Sequence, residues 1–156
     1  MHFSDLNLNK PLLKAIFEKN YETPTKVQIQ TIPLVLAKKN VIASAQTGTG
    51  KTAAFALPIL QLLFHQLDTN KEQKKIRALI VSPTRELAVQ INEEFTDYSK
   101  YTKLSSTVVY GGISIDAQKK VLKKGVDILI ATPGRLLELC KQEIVDLSTI
   151  EILVLD

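Results

Sequence analysis

Tryptophan is absent from this chain of 156 residues, and cysteine and methionine each occur once. A lone Cys140 excludes an intrachain disulfide framework, and no Cys/His grouping has metal-ligand spacing, so the sequence predicts a reducing, cytoplasmic setting. Long apolar runs are missing too. None approaches the roughly 18 residues of a membrane span, and Met1-His2-Phe3-Ser4-Asp5 has neither the basic nor the apolar region of an export leader. The expectation is a soluble, unexported protein without a membrane partner. Six glycines and six prolines are too few for a disordered or fibrous chain. Neither charge dominates: 20 basic against 16 acidic residues leave +4, which permits a polyanionic partner without requiring one. What remains is a 45% hydrophobic chain, enough for the core of one domain.

The chain is organised around Ala45-Gln46-Thr47-Gly48-Thr49-Gly50-Lys51-Thr52. A β-branched run, Val41 to Ser44, leads into a glycine-punctuated turn, and the turn opens into Lys51-Thr52-Ala53-Ala54-Phe55-Ala56-Leu57, a good helix former. Gly48 and Gly50 let successive backbone N–H groups converge on oxygens, and the positive end of the helix dipole points at the same place. Lys51 reaches the β- and γ-phosphates of a nucleoside triphosphate, and the Thr52 hydroxyl is placed to ligate magnesium. Ala45 stands where the commonest form of this loop has its first glycine. The bland alternative is a glycine-rich turn that holds no ligand.

Before the loop, Asn9 predicts an N-cap for a helix from about Lys10, with Pro11 in its first turn and Leu12, Leu13, Ile16 and Phe17 as its buried stripe. Asn20 suits a left-handed C′ position. A second helix is expected after Pro24-Thr25, running to about Lys38 past Pro33. Asp68 to Arg77 reads as a charged, exposed connection. Beyond it short apolar strands alternate with amphipathic helices: strands at Ala78–Ser82, Thr107–Tyr110, Asp127–Ala131 and Ile152–Leu155, helices near Arg85–Lys100, Ser114–Lys124 and Gly134–Lys141, with Gly125 as a C-cap. With Val41–Ser44 this makes five strands in an open, doubly wound α/β parallel sheet, whose ligands bind beyond the carboxyl ends of the strands. Pro83-Thr84-Arg85-Glu86-Leu87-Ala88, Gly111-Gly112, Thr132-Pro133-Gly134-Arg135 and Asp156 each follow a strand.

These segments, in this order and at these strand ends, resemble the N-terminal RecA-like lobe of DEAD-box ATP-dependent RNA helicases. The resemblance covers residues 1–156 and implies a P-loop at 45–52 and an adenine-reading Q motif at 20–28, with Asn20 where the family usually has glycine. It implies that Gln28 reads adenine, since a carboxamide matches the acceptor at N7 and the donor at N6, that Tyr21 offers a ring face, Thr25 a hydroxyl near the phosphate loop, and Phe3 the family's isolated upstream aromatic. Locally, Thr25-x-x-Gln28 reads equally as a helix capping box. With Lys51 and the backbone of Gln46, Thr47, Gly48, Thr49 and Gly50, these residues form the expected ATP site, and Thr52 with Asp156 the expected Mg2+ ligands. Pro83, Thr84, Arg85, Gly111, Gly112, Thr132, Pro133, Gly134 and Arg135 resemble the family's grip on the sugar-phosphate backbone of single-stranded RNA, and suit it because none reads base identity. Taken singly they are also ordinary caps and turns.

The resemblance further implies that Asp156 is the first residue of an Asp-Glu-Ala-Asp motif, so the water-orienting glutamate and the second RecA-like lobe lie outside this chain. Nucleotide binding with little or no turnover is the expectation, the alternative being a non-hydrolysing nucleotide-binding module or scaffold. In the family order another strand separates the phosphate-loop strand from the Ile152–Leu155 strand, leaving both with open edges here. Self-association or a displaced terminal strand is the expected consequence.

Overall fold

The computed structural model describes residues 1–65 and 74–156. After a short 3-10 turn at Phe3–Leu6 come α1 (Lys10–Glu18), α2 (Lys26–Leu36), α3 (Lys51–His65), β1 (Ala78–Val81), α4 (Arg85–Ser99), β2 (Ser106–Val109), α5 (Ile115–Lys124), β3 (Ile128–Ala131) and α6 (Pro133–Lys141). A second 3-10 turn at Leu147–Thr149 precedes β4 (Ile152–Leu155). The described residues form two units, one of residues 1–65 with 94–103, the other of residues 74–93 with 104–156.

In the first unit the caps fall where the sequence puts them. Asn9 Oδ1 accepts from the Leu12 N–H at 3.1 Å, while the Asn9 N–H donates to Gln61 Oε1 of α3 at 2.8 Å, tying the start of α1 to α3. Asn20 takes a left-handed φ of 58°. α2 ends at Leu36, short of the expected Lys38, because Lys38 itself turns left-handed at φ 58°. α2 packs on α3, which is buried nearly all round through Ala53, Ala56, Leu57, Leu60 and Leu63. The buried stripe of α1 is Leu12, Ala15 and Ile16; Phe17 is 80% exposed, against expectation. At about 100° per residue Leu13 and Phe17 share a flank that turns away from the Leu12 and Ile16 face.

The last turns of α4 bury Phe95 and Tyr98, with the Phe95 ring centroid 6.3 Å from that of Phe55. The Tyr98 hydroxyl donates to Glu94 Oε2 at 3.3 Å. Desolvation raises the Glu94 carboxyl above its ordinary value of 4.5, outweighing the Tyr98 hydrogen bond. A raised acid favours the fold most while protonated, and that stability is lost as pH rises through the folded value. Glu94→Gln, which keeps an acceptor for Tyr98 without the charge, is therefore expected to match the parent below pH 4.5 and to exceed it at neutral pH by under about 1 kcal/mol, solvent screening limiting the gain. Urea titrations across pH measure the difference; a variant less stable than the parent at neutral pH would refute it.

The second unit is built on a parallel sheet of order β2-β3-β1-β4, with Val81 level with Ala131 and Leu155, and Val109 level with Ala131. Leu79, Val109, Leu129 and Ala131 pack with Leu122 of α5 and Leu139 of α6. The alternate residues Ala78, Ile80, Ile128 and Ile130 are buried as well, so the central strands are covered on both faces, which is why they read as unbroken apolar runs. The architecture is the open, doubly wound α/β sheet that the alternation predicts. Because all strands run parallel, their carboxyl ends share one end of the sheet. At the opposite end the Asp127 carboxylate accepts from Lys74 Nζ and from the Ser105 N–H, each at 2.9 Å, anchoring the start of β3.

Two expectations are corrected. Among the described residues the sheet has four strands, not five: Val41–Ser44 pairs with none and is exposed at Ile42, Ala43 and Ser44. β-branched propensity makes a strand only where a neighbour supplies ladder partners. Nor is the terminal strand displaced, for β4 keeps four-residue register with β1. Of the expected connection Asp68–Arg77, residues 68–73 lie outside the described residues; Arg77 is held by an ion pair with Glu151 at 2.8 Å. β2 ends at Val109 rather than Tyr110 because the Tyr110 carbonyl bonds to a side chain instead of the ladder.

Candidate nucleotide and nucleic-acid sites

In the first unit the predicted phosphate loop has the conformation its glycines allow. Gly48 and Gly50 stand at φ 78° and 82°, a region that costs other residues about 1–2 kcal/mol. Thr49 Oγ1 donates to the Gln46 carbonyl at 2.6 Å and closes the turn. α3 begins at Lys51 and its first ladder bond runs from the Ala54 N–H to the Gly50 carbonyl at 3.1 Å, so the N–H groups of Lys51, Thr52 and Ala53 have no intrahelical acceptor and are available to an anion. The Lys51 ammonium has no ion-pair partner among the described residues. Thr52 is half-buried in the first turn of α3.

Gln28 is 3% exposed and joins α2 to the loop. Its Oε1 accepts from the Thr25 N–H at 2.9 Å, and its Nε2 donates to the Gly50 carbonyl at 3.2 Å. The capping reading of Thr25 and Gln28 is therefore realised, and it clamps the phosphate loop at the same time. A Cβ on Gly50 would stand 2.3 Å from Gln28 Nε2. Tyr21 is exposed, whereas Phe3 is buried in the core of this unit. A groove of about 660 Å³ beside α2, lined among others by Leu34, Val41, Ile42 and Ser44, shares only Thr25 and Thr49 with the predicted nucleotide residues. It is not the site the sequence predicts.

In the second unit the predicted nucleic-acid residues gather at the carboxyl end of the sheet. Pro83, Thr84 and Arg85 follow β1, Gly111 and Gly112 follow β2, and Pro133 and Gly134 open α6; all are exposed. Thr84 Oγ1 accepts from the Leu87 N–H at 3.3 Å as an N-cap, while the Thr132 side chain makes no capping bond. Asp156 follows β4 and its N–H donates to the Val81 carbonyl at 3.0 Å. Arg135 differs from the rest. It is 8% exposed, and each of its three nitrogens donates inside the protein: Nε to Glu138 Oε2 at 3.0 Å, one terminal nitrogen to Gln118 Oε1 at 2.9 Å, the other to the Ile113 carbonyl at 2.9 Å.

Tyr110 and Gln118 belong to this constellation and were not foreseen. The Arg85 guanidinium lies 4.7 Å from the Tyr110 ring centroid, and Gln118 Nε2 donates to the Tyr110 carbonyl at 3.1 Å. One signal for Gln118 was present: it sits on the Ile115, Leu122 stripe of α5, where a polar residue calls for an internal partner.

For the magnesium expected with a nucleotide, each expected ligand is chemically suitable taken in its own unit, Thr52 in the first with a hydroxyl and Asp156 in the second with a carboxylate, since this ion takes hard oxygens and only one or two protein ligands beside phosphate and water. No group of three or more His, Cys, Asp or Glu residues that could cage a metal occurs among the described residues. No helix there is long and apolar enough to cross a membrane.

A family model described as DEAD/DEAH box helicase matches residues 25–156. The chain is 50% identical over 156 residues to the ATP-dependent RNA helicase CshA of Limosilactobacillus reuteri, covering 100% of this chain and 30% of that one. It is 44% identical over 155 residues to the ATP-dependent RNA helicase RhlB of Shewanella woodyi, covering 99% and 35%. The crystal structure of a DEAD box protein from the hyperthermophile Methanococcus jannaschii superposes with a TM-score of 0.89 at 38% identity, over 100% of this chain and 41% of that one. The chain thus spans about a third of the length of these curated relatives.

Proposed function

Because this chain belongs to the DEAD/DEAH box helicase family, we propose that it is the RecA-like part of an ATP-dependent RNA helicase that binds ATP with Mg2+ and the backbone of single-stranded RNA. The observation that carries the reading is the left-handed turn at Gly48 and Gly50 opening directly into α3, whose first ladder bond comes only at Ala54 and leaves the N–H groups before it for an anion. Backbone N–H groups of residues 46–50 and the Lys51 ammonium hold the phosphates. Thr52 would hold magnesium, which supplies charge neutralisation at the transferred phosphoryl when bound. Tyr21 gives adenine a ring face, whereas Phe3 is buried and offers none. Gln28 reads the base: its carboxamide has two donors and two acceptor lone pairs, and the bonds to Thr25 and Gly50 use one of each.

The strand-end segments of the second unit hold RNA through phosphates and sugars, with Thr84, Thr132 and the helix N-termini as donors and Arg85 as the exposed charge. Duplex unwinding coupled to hydrolysis belongs to the whole protein, with a second RecA-like lobe; the present chain is expected to bind nucleotide with little turnover. Self-association at the open edge of β4 and a cytoplasmic location complete the proposal.

Calorimetric titration with ATP and GTP in magnesium tests the nucleotide half. The parent chain is expected to prefer ATP, and Gln28→Ala to lose most of that preference, about 1–2 kcal/mol for one good base-reading pair. Equal losses for both nucleotides would leave Gln28 only its capping role. ATP binding without any binding of single-stranded RNA would make the chain a nucleotide module alone.

A further inference from the structure

We infer that Gln118 is a positioning residue of the RNA grip, and that Arg135 acts with it from inside rather than as a phosphate contact. The inference rests on reading the strand ends of the second unit as the RNA site. The loop after β2 has no packing of its own at its tip: a Cβ at Gly111 or Gly112 would meet nothing within 4 Å, and Gly112 sits at φ +83°. Its position is therefore set by bonds to its flanks. On one side the Tyr110 carbonyl accepts from Gln118 Nε2 at 3.1 Å, and on the other the Ile113 carbonyl accepts from Arg135 at 2.9 Å.

Gln118 Oε1 accepts from the same guanidinium at 2.9 Å, so one buried carboxamide joins both flanks of the loop to α6. Arg85 stacks on the ring of Tyr110, the residue whose carbonyl Gln118 holds. The three strand-end segments are thus linked through Tyr110, Gln118 and Arg135, and loosening the carboxamide moves the exposed donors relative to one another. A guanidinium with each of its three nitrogens bonded and 8% exposure presents no free fork to a phosphate.

Binding of a fluorescent ten-nucleotide oligouridylate to the full chain, measured against salt, separates positioning from direct phosphate binding. Removing a side chain that neutralises one phosphate lowers the salt slope by about 0.7 for a single strand. Gln118→Leu is expected to weaken oligouridylate about tenfold with an unchanged slope, to speed amide exchange at residues 110–114, and to leave ATP affinity unchanged. Gln118→Glu keeps the acceptor for Arg135 but not the donor for Tyr110, and is expected to fall between. Arg135→Lys, with its charge retained but not its three-way fork, is expected to behave like Gln118→Leu. Parent-like oligouridylate affinity in either Gln118 variant, or a slope reduced by about 0.7 in Arg135→Gln, overturns this inference while the RNA site stands. No oligouridylate binding by the parent chain overturns the site and the inference together.

Discussion

Gly50→Ala is expected to remove measurable nucleotide binding and to destabilise the first unit by about 1.5–3.5 kcal/mol. Two costs combine. Alanine at φ +82° carries roughly 1–2 kcal/mol of backbone strain, and its Cβ would stand 2.3 Å from Gln28 Nε2 and 3.5 Å from Thr25 Oγ1. Gln28 is 3% exposed, and moving its Nε2 out of the way of the new Cβ breaks its bond to the Gly50 carbonyl, at about 0.5–1.5 kcal/mol. The loop then leaves the head of α3, and the N–H groups proposed to hold the phosphates lose their common focus. Gly48→Ala is the control. Its φ of +78° brings similar strain, but nothing lies within 4 Å of the added Cβ, so it should cost only the strain. Urea unfolding and ATP titration of both variants compare them; equal losses would show that the Gln28 clamp contributes nothing to the loop.

The clamp also explains why part of this site was legible in the chain and part was not. Local chemistry that acts on its own neighbours reads out directly. Asn9 accepts from Leu12 three residues on, Thr25 and Gln28 form their box, Asn20 goes left-handed, and the phosphate loop turns at its two glycines. The β4 range matches the expectation to the residue, since an apolar run between Glu151 and Asp156 has sharp polar ends. Contacts over longer separations carry no such mark. Gln28 meets Gly50 across 22 positions and Arg135 meets Gln118 across 17, and a sequence motif gives no sign that a conspicuous arginine turns inward. Phe17 shows a further limit, for hydrophobicity places a residue inside only if its helical flank faces the core.

Backbone amide exchange should show the widest contrast, because it reads strand pairing residue by residue. β1 and β3 lie inside the sheet with neighbours on both sides. Their amides should exchange only on global opening, which at 5–15 kcal/mol means protection of about 10⁴ or more. Val41–Ser44 has the apolar, β-branched character of a strand but no ladder among the described residues, and should exchange within about tenfold of an unprotected chain. β4 should alternate. The N–H groups of Ile152 and Asp156 donate to Arg77 and Val81, so the pleat turns Val154 the same way and leaves the amides of Leu153 and Leu155 on the open edge. Those two side chains are 57% and 75% exposed, and an apolar edge with unspent donors is a template for a second copy. If the chain self-associates there, protection at Leu153 and Leu155 should rise with protein concentration in step with light scattering, while Ile152 and Val154 stay as they were. Strong protection of Val41–Ser44 in dilute solution, equal to that of β1, would contradict the four-stranded sheet and place that segment in a ladder.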